Sequence, residues 1–173
     1  LNSENKKLRE LLDESINSQE IFARVLIDKD SPYLKSVVLN KGTKDKVKIG
    51  MAVIDGAYLV GQIIEVNYTN SRALLLSDLN SKIPSVLAPN DVQTVVSGTG
   101  KNFGIIEHTQ YVSKKEINEK ERVVYTSGLG GLFKPGIPIG KMNISSNGIV
   151  NFFSDFTQLS YVKIVTYKSG GEE

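Results

Sequence analysis

The sequence predicts a mainly β protein, built from two related β units behind a single N-terminal helix. Three observations carry this. Short apolar runs recur at roughly 8- to 12-residue spacing, each flanked by turn residues, which is the grammar of small barrels or a sandwich and not of alternating βαβ units. Helical periodicity is confined to residues 1 to about 20, and no Gly or Pro occurs before Pro32. Finally, two stretches share one plan of lead-in strand, glycine-bearing turn and an apolar-Gly-polar-apolar strand. Lys48–Val53 leads to Leu59–Ile63, and Glu121–Tyr125 leads to Ile139–Met142.

In the helix, Leu1, Leu8, Leu11, Leu12 and Ile16 fall near one stripe, among Lys6, Lys7, Arg9, Glu10 and Glu14. Leu1, Leu8 and Leu11 fit heptad positions a, a and d, and Ser15 breaks the next a. Periodicity this short suits a coiled coil and a helix packed on its own domain equally. Beyond Gln19 the residues turn β-prone. Strands are expected at Ile21–Ile27, Ser36–Leu39, Ala52–Ile54 and Tyr58–Val66, then at Ala73–Leu76, Ser85–Ala88, Thr94–Ser97 and Gly104–His108. Val123–Thr126, Ile137–Met142 and Leu159–Thr166 complete the set. Asp55-Gly56 between apolar runs marks a hairpin, because both residues tolerate positive φ. The polar tail, residues 169–173, is expected to be disordered.

A chain of 173 residues with 40% hydrophobic and 23% charged residues can bury a core without staples. The absence of cysteine excludes disulfides, thiolate metal sites and cysteine nucleophiles. A net charge of +2 is too small for a phosphate-driven nucleic-acid partner. No apolar stretch reaches the length of about eighteen residues that a membrane helix needs.

Motifs that could carry chemistry each fail at the decisive position. Ser127 with His108 upstream imitates the order of a β-barrel serine protease. The acids between them are Glu116, Glu119 and Glu121, in a lysine-rich loop unsuited to a buried orienting carboxylate, and Ser127 lacks the Gly-x-Ser-x-Gly elbow. One histidine and no cysteine make a poor transition-metal set. Asp78-Leu79-Asn80 opens like a calcium loop, yet Ile83 and Pro89 stand where glycine and glutamate are needed, so a turn bonded to its own backbone is expected. Gly98–Asn102 lacks P-loop spacing and reads as a glycine hairpin. Lys41, Lys44, Lys46 and Lys48, with Asp45 among them, read as a solvated loop. Gly128, Gly130 and Gly131 read as positions of positive φ or close approach. No catalytic, cofactor-binding or metal-binding residue is therefore assigned.

The aromatics need another account. Phe152 and Phe153 are adjacent, so in a strand they point to opposite faces, and both are covered only if each face meets another layer. Phe103, Phe152, Phe153, Phe156 and Tyr161 are the candidate partner anchors, with at least one of the four phenylalanines expected to be exposed.

Several blocks together resemble the MreC family of rod-shape-determining proteins. These are Glu4–Leu12 (ENKKLRELL), Lys41–Val53 (KGTKDKVKIGMAV), Leu59–Ile63 (LVGQI), Ser71–Pro84 (SRALLLSDLNSKIP) and Thr126–Lys141 (TSGLGGLFKPGIPIGK), all in the family's order. Lys46 departs from the family's usual glycine, and Ala52 from its usual proline. The resemblance implies an N-terminal helix that ends a coiled coil (residues 1–20), followed by two small β-barrels, chymotrypsin-like without a triad. It places the first barrel at 21–65 plus 147–168 and the second at 66–146. It also implies the periplasmic, extracytoplasmic part of a bacterial inner-membrane protein anchored by an upstream membrane helix. The implied function is a non-catalytic scaffold of the cell-wall elongation complex, maintaining cell shape. Its implied partners are the class B penicillin-binding transpeptidase, MreD, RodA and the MreB system, with self-association into dimers or larger assemblies through Leu1, Leu8, Leu11 and Leu12. A barrel module for peptidoglycan or lipid head groups and a degenerate serine protease are the alternatives.

Overall fold

The computed structural model describes residues 3–6, 20–26, 35–88, 91–107, 121–129, 133–143 and 148–166. Twelve strands are described: β1 (Glu20–Leu26), β2 (Ser36–Leu39), β3 (Ala52–Asp55), β4 (Tyr58–Val66), β5 (Ser71–Leu75), β6 (Lys82–Leu87), β7 (Val92–Gly98), β8 (Phe103–Glu107), β9 (Glu121–Thr126), β10 (Pro138–Asn143), β11 (Ile149–Phe152) and β12 (Tyr161–Val165). They form two closed antiparallel barrels, ordered β1-β12-β3-β4-β5-β2 and β10-β11-β8-β7-β6-β9. Closure leaves no unpaired strand edge in either barrel.

The chain builds five strands of the first barrel, completes the second, and returns as β12 between β1 and β3. Two borders read from the sequence are corrected. Ser71–Leu75 pairs with β2 and β4 and closes the first barrel, so that barrel continues past residue 65. Ile149–Phe152, absent from the expected strands, lies between β8 and β10 in the second barrel, beyond the expected limit at 146. Both follow from pairing: a six-strand ring cannot close without its last partner.

Alternation explains the first core. Ala23, Val37, Val53, Val60, Ile63, Ala73, Val162 and Ile164 point inward and form one buried cluster. Their neighbours Ala52, Ile54, Leu59 and Val165 point the other way, into the cluster that also holds Ile83, Val96, Val124, Ile139 and Val150 of the second barrel. Strands β3, β4 and β12 are thus apolar on both faces because one face fills a barrel and the other meets its neighbour. The barrels share a continuous apolar joint.

Turn chemistry follows the residues. Gly56 at φ 62° closes the β3–β4 hairpin that Asp55-Gly56 predicts. Gly98–Asn102 forms the β7–β8 turn, with Gly100 at φ 81° and the Thr99 hydroxyl donating to the Phe103 carbonyl at 2.7 Å. Lys46 adopts φ 70°, a left-handed conformation that only glycine takes without a Cβ penalty. Lys46→Gly is expected to stabilise by about 1 kcal/mol by removing the Cβ penalty, read as a raised melting temperature. A lowered one would show that the lysine side chain contributes more than its backbone costs.

Gly128 sits at φ 75°, with an added Cβ 3.0 Å from Pro135. Gly128→Val is therefore expected to lose more than about 1 kcal/mol, and an unchanged melting temperature would contradict the constraint. Gly130 and Gly131 lie outside the described residues, as do Leu1, Leu8, Leu11, Leu12 and the tail at 169–173. Of the expected helix, residues 3–6 are described and helical.

Candidate interaction surface

The outer face of the first barrel carries an apolar patch where β1, β12 and β3 run side by side. Ile21, Ala23 and Val25 of β1 turn inward, which sends Phe22 and Arg24 outward. Phe22 stands opposite Lys163, and Arg24 opposite Tyr161, on β12. Lys163 in turn stands opposite Ile54 on β3. Phe22 is 69% and Tyr161 72% exposed, an unusual position for two large rings on one face. With Ile54, Gly56, Val162 and Lys163 they line a shallow groove of about 180 Å3. Lys163 Nζ also faces Glu20 Oε1 at 3.8 Å, so a charged side chain lies within the patch, between Phe22 and Ile54 across the strands. Exposed aromatic rings interleaved with cationic side chains on one sheet face are the kind of residues from which protein-docking surfaces draw their anchors.

The aromatic cluster of the second barrel serves a different purpose. Phe103, Phe152, Phe153 and Phe156 are all half-buried, which corrects the expectation that one of them is exposed. Phe152 and Phe156 stack at 5.2 Å between ring centroids and pack on the second core, while Phe156 also touches the first. Phe153 meets Tyr58 of the first barrel at 4.9 Å. The Ser154 hydroxyl beside it donates to Asp55 Oδ2 at 2.9 Å, across the same joint. The layer that covers Phe153 is the other barrel.

A turn positions Phe156. The Thr157 hydroxyl donates to Asp155 Oδ1 at 2.6 Å, and the Thr157 N–H to the same oxygen at 3.0 Å. These bonds, the hydroxyl's foremost, hold the Asp155 carboxyl below the usual carboxylate range. A lowered folded-state value means the contribution is present above the unfolded-state value and fades as pH falls through the folded one.

The remaining candidates are engaged structurally. The Ser127 hydroxyl accepts from the Leu129 N–H at 3.2 Å, and Glu121 reaches outward to Lys141 Nζ at 3.8 Å. His108, Glu116 and Glu119 lie outside the described residues. Asp78 accepts from the Lys35 and Asn80 N–H groups at 2.7 and 2.8 Å, as a backbone-bonded turn residue does. Lys44, Lys46 and Lys48 are exposed. Tyr161 alone of the sequence-predicted anchors is exposed, and Phe22 was missed. The signal lay in β1 itself, where Ile21, Ala23 and Val25 alternate with Phe22 and Arg24.

Among known proteins, residues 25–166 match the family model described as rod shape-determining protein MreC, barrel core. The cell shape-determining protein MreC of Haemophilus influenzae is 36% identical over 161 residues, covering 89% of this chain and 44% of that protein. The chain thus spans less than half the length of that relative. The solved MreC of Listeria monocytogenes superposes with a TM-score of 0.76 at 23% identity, over 99% of this chain and 89% of that one. A solved complex between a penicillin-binding protein (PBP2) and MreC from Helicobacter pylori also matches, with a TM-score of 0.54 at 16% identity, over 88% of this chain and 91% of that one. The family-model match over most of the chain and the 36% identity to a cell shape-determining relative place it: the chain belongs to the MreC family of rod shape-determining proteins.

Proposed function

We propose that this chain is the periplasmic, non-catalytic scaffold part of a bacterial inner-membrane protein that maintains cell shape. It binds the peptidoglycan transpeptidase of the elongation complex through the Phe22–Tyr161 face of the first barrel. The exposed pair Phe22 and Tyr161 is the observation that carries this reading, since a protein acting through its surface needs anchors that water does not already satisfy. The likeness to the MreC of the Helicobacter complex supports the choice of partner. Half-buried Phe153, against Tyr58, and Phe156, against both cores, tie the two barrels together behind the docking face. Self-association, for which the sequence offers Leu1, Leu8, Leu11 and Leu12, raises the local concentration of partners. MreD, RodA and the MreB system are the further partners of the assembly.

The mechanism is differential binding. A scaffold that prefers an active conformation of the transpeptidase shifts that population by its difference in affinity and by no more. A Phe22→Ser/Tyr161→Ser chain, placed in the full-length protein, is expected to lose co-purification of the transpeptidase from envelope membranes and to fail to restore rod shape. Retention of both would overturn the choice of face. Ser127→Ala and His108→Ala are each expected to restore rod shape as the parent does. Loss of shape in both, with folding and partner binding intact, would overturn the non-catalytic reading.

A further inference from the structure

One end of the first barrel is basic and apolar at once. Strand β2 stops at Leu39 opposite Ser71, where β5 starts, so the connection at 40–51 and the turn at 67–70 lie together at that end. Backbone bonds tie them: the Thr43 N–H donates to the Asn67 carbonyl at 2.9 Å, and the Lys44 N–H to the Tyr68 carbonyl at 3.1 Å. Gly42 leaves no room for a Cβ against the same two carbonyls, and Val47 is buried in the barrel's core. On this fixed frame Lys44, Lys46 and Lys48 are exposed and Lys41 is half-buried. Ile49 and Tyr68, on the same two connections, are 69% and 70% exposed.

The acids of this end are turned elsewhere. Asp45, the single acid among the four lysines, accepts from the Gly42 N–H at 3.2 Å, and Glu65 faces Arg72 Nε at 3.8 Å. None of the four ammonium groups meets a carboxylate among the described residues. Lys46 holds φ 70°, so the chain keeps a cation where glycine would cost the backbone less. Ammonium groups spread over a barrel end can meet a broad anionic surface together, whereas a small anion reaches only some of them. A purely polar acidic surface offers Ile49 and Tyr68 nothing, while the head-group layer of a bilayer takes lysines, an aromatic ring and an apolar chain side by side. We infer that this end of the first barrel rests on the surface of an anionic lipid bilayer. The lysines meet the lipid phosphates, and Ile49 and Tyr68 enter the head-group layer. The Phe22–Tyr161 docking face lies on the barrel's side, and the inference does not rest on it.

The test is co-sedimentation of the whole chain with vesicles of phosphatidylcholine alone, and of phosphatidylcholine and phosphatidylglycerol in about equal parts. Binding is expected on the anionic vesicles only, and it weakens as salt rises. Each lysine near an anionic leaflet is worth roughly fivefold in partition at low salt. Lys44→Gln/Lys46→Gln/Lys48→Gln is therefore expected to bind about a hundredfold more weakly, and Lys46→Gly about fivefold, although the latter melts higher than the wild type. Ile49→Ser/Tyr68→Ser is expected to bind at least about threefold more weakly while keeping the wild type's salt dependence, since it removes apolar area and no charge. The triple and double variants alter exposed side chains, so their melting temperatures are expected to match the wild type. Phe22→Ser/Tyr161→Ser is expected to bind the vesicles as the wild type does, which separates this surface from the docking face. The inference is overturned if neither vesicle binds, if both bind alike, or if the triple lysine variant binds as the wild type does. Loss of vesicle binding in Phe22→Ser/Tyr161→Ser would also overturn it, by moving the contact to the barrel's side. So would displacement from the vesicles by soluble polyglutamate together with full binding by Ile49→Ser/Tyr68→Ser, which would make the partner an acidic polypeptide.

Discussion

Replacing Gly98 by alanine is expected to destabilise the protein by about 3 kcal/mol. The last residue of β7 passes directly beneath the turn at 77–81 that carries the chain from the first barrel to the second. An added Cβ would fall inside the contact radius of the Asp78 carbonyl, with the Leu76 carbonyl close behind. Neither obstacle is a side chain that can swing aside. The Gly98 N–H donates to the Ser81 carbonyl at 3.0 Å, and the Gly100 N–H to the Ser77 carbonyl at 2.7 Å, so both strands of backbone are tied. Asp78 is 2% exposed, and its carboxylate is held from two sides by backbone donors. The methyl group must therefore break bonds that hold the crossover in place. Urea unfolding measures the loss, and a change below about 0.5 kcal/mol, the range of an unconstrained surface site, would show that the turn can yield.

Leu59→Ala should cost about 2–5 kcal/mol, the range for truncating a fully buried leucine. Leu59 is wholly buried, yet it points out of its own barrel and into the cluster of the other. Its loss opens a cavity at the joint, beside Ile54 opposite it and Tyr58 before it. Truncation of Val60, the next residue, opens a cavity inside the first barrel instead. If the joint is a true core, Leu59→Ala lowers the midpoint of one cooperative unfolding transition. If the barrels are merely neighbours, the variant unfolds near the parent midpoint, and the continuity of the core is refuted.

Much of this arrangement was legible in the residues because turn chemistry and strand alternation are local. Asp55-Gly56 predicts its hairpin, and Ser36–Leu39 and Tyr58–Val66 coincide with their strands, because Gly and β-branched residues act within a few positions of themselves. What was not legible is what depends on partners distant in sequence. Ala52–Ile54 and Leu59–Val60 read simply as apolar, and only the second barrel tells which of them fill a barrel and which fill the joint. Phe153 looked like an anchor for the same reason, since the ring that covers it, Tyr58, comes from the other barrel. Lys82–Pro84 escaped the expected strand because proline interrupts its pattern, although β6 pairs on both sides. Phe22 escaped because its exposure follows from the alternation of β1 against a core that had to be located first.

The affinity of the transpeptidase's periplasmic region for this chain, measured by calorimetry on the wild type and on Phe22→Ser/Tyr161→Ser alongside their melting temperatures, tests the scaffold account most directly. Truncating two docking anchors predicts a loss of about 1–3 kcal/mol each in binding, at least tenfold in affinity for the pair, with an unmoved melting temperature, because neither exposed ring supports the core. Equal affinity for the two chains, or a fall in stability that matches the loss in binding, would contradict it.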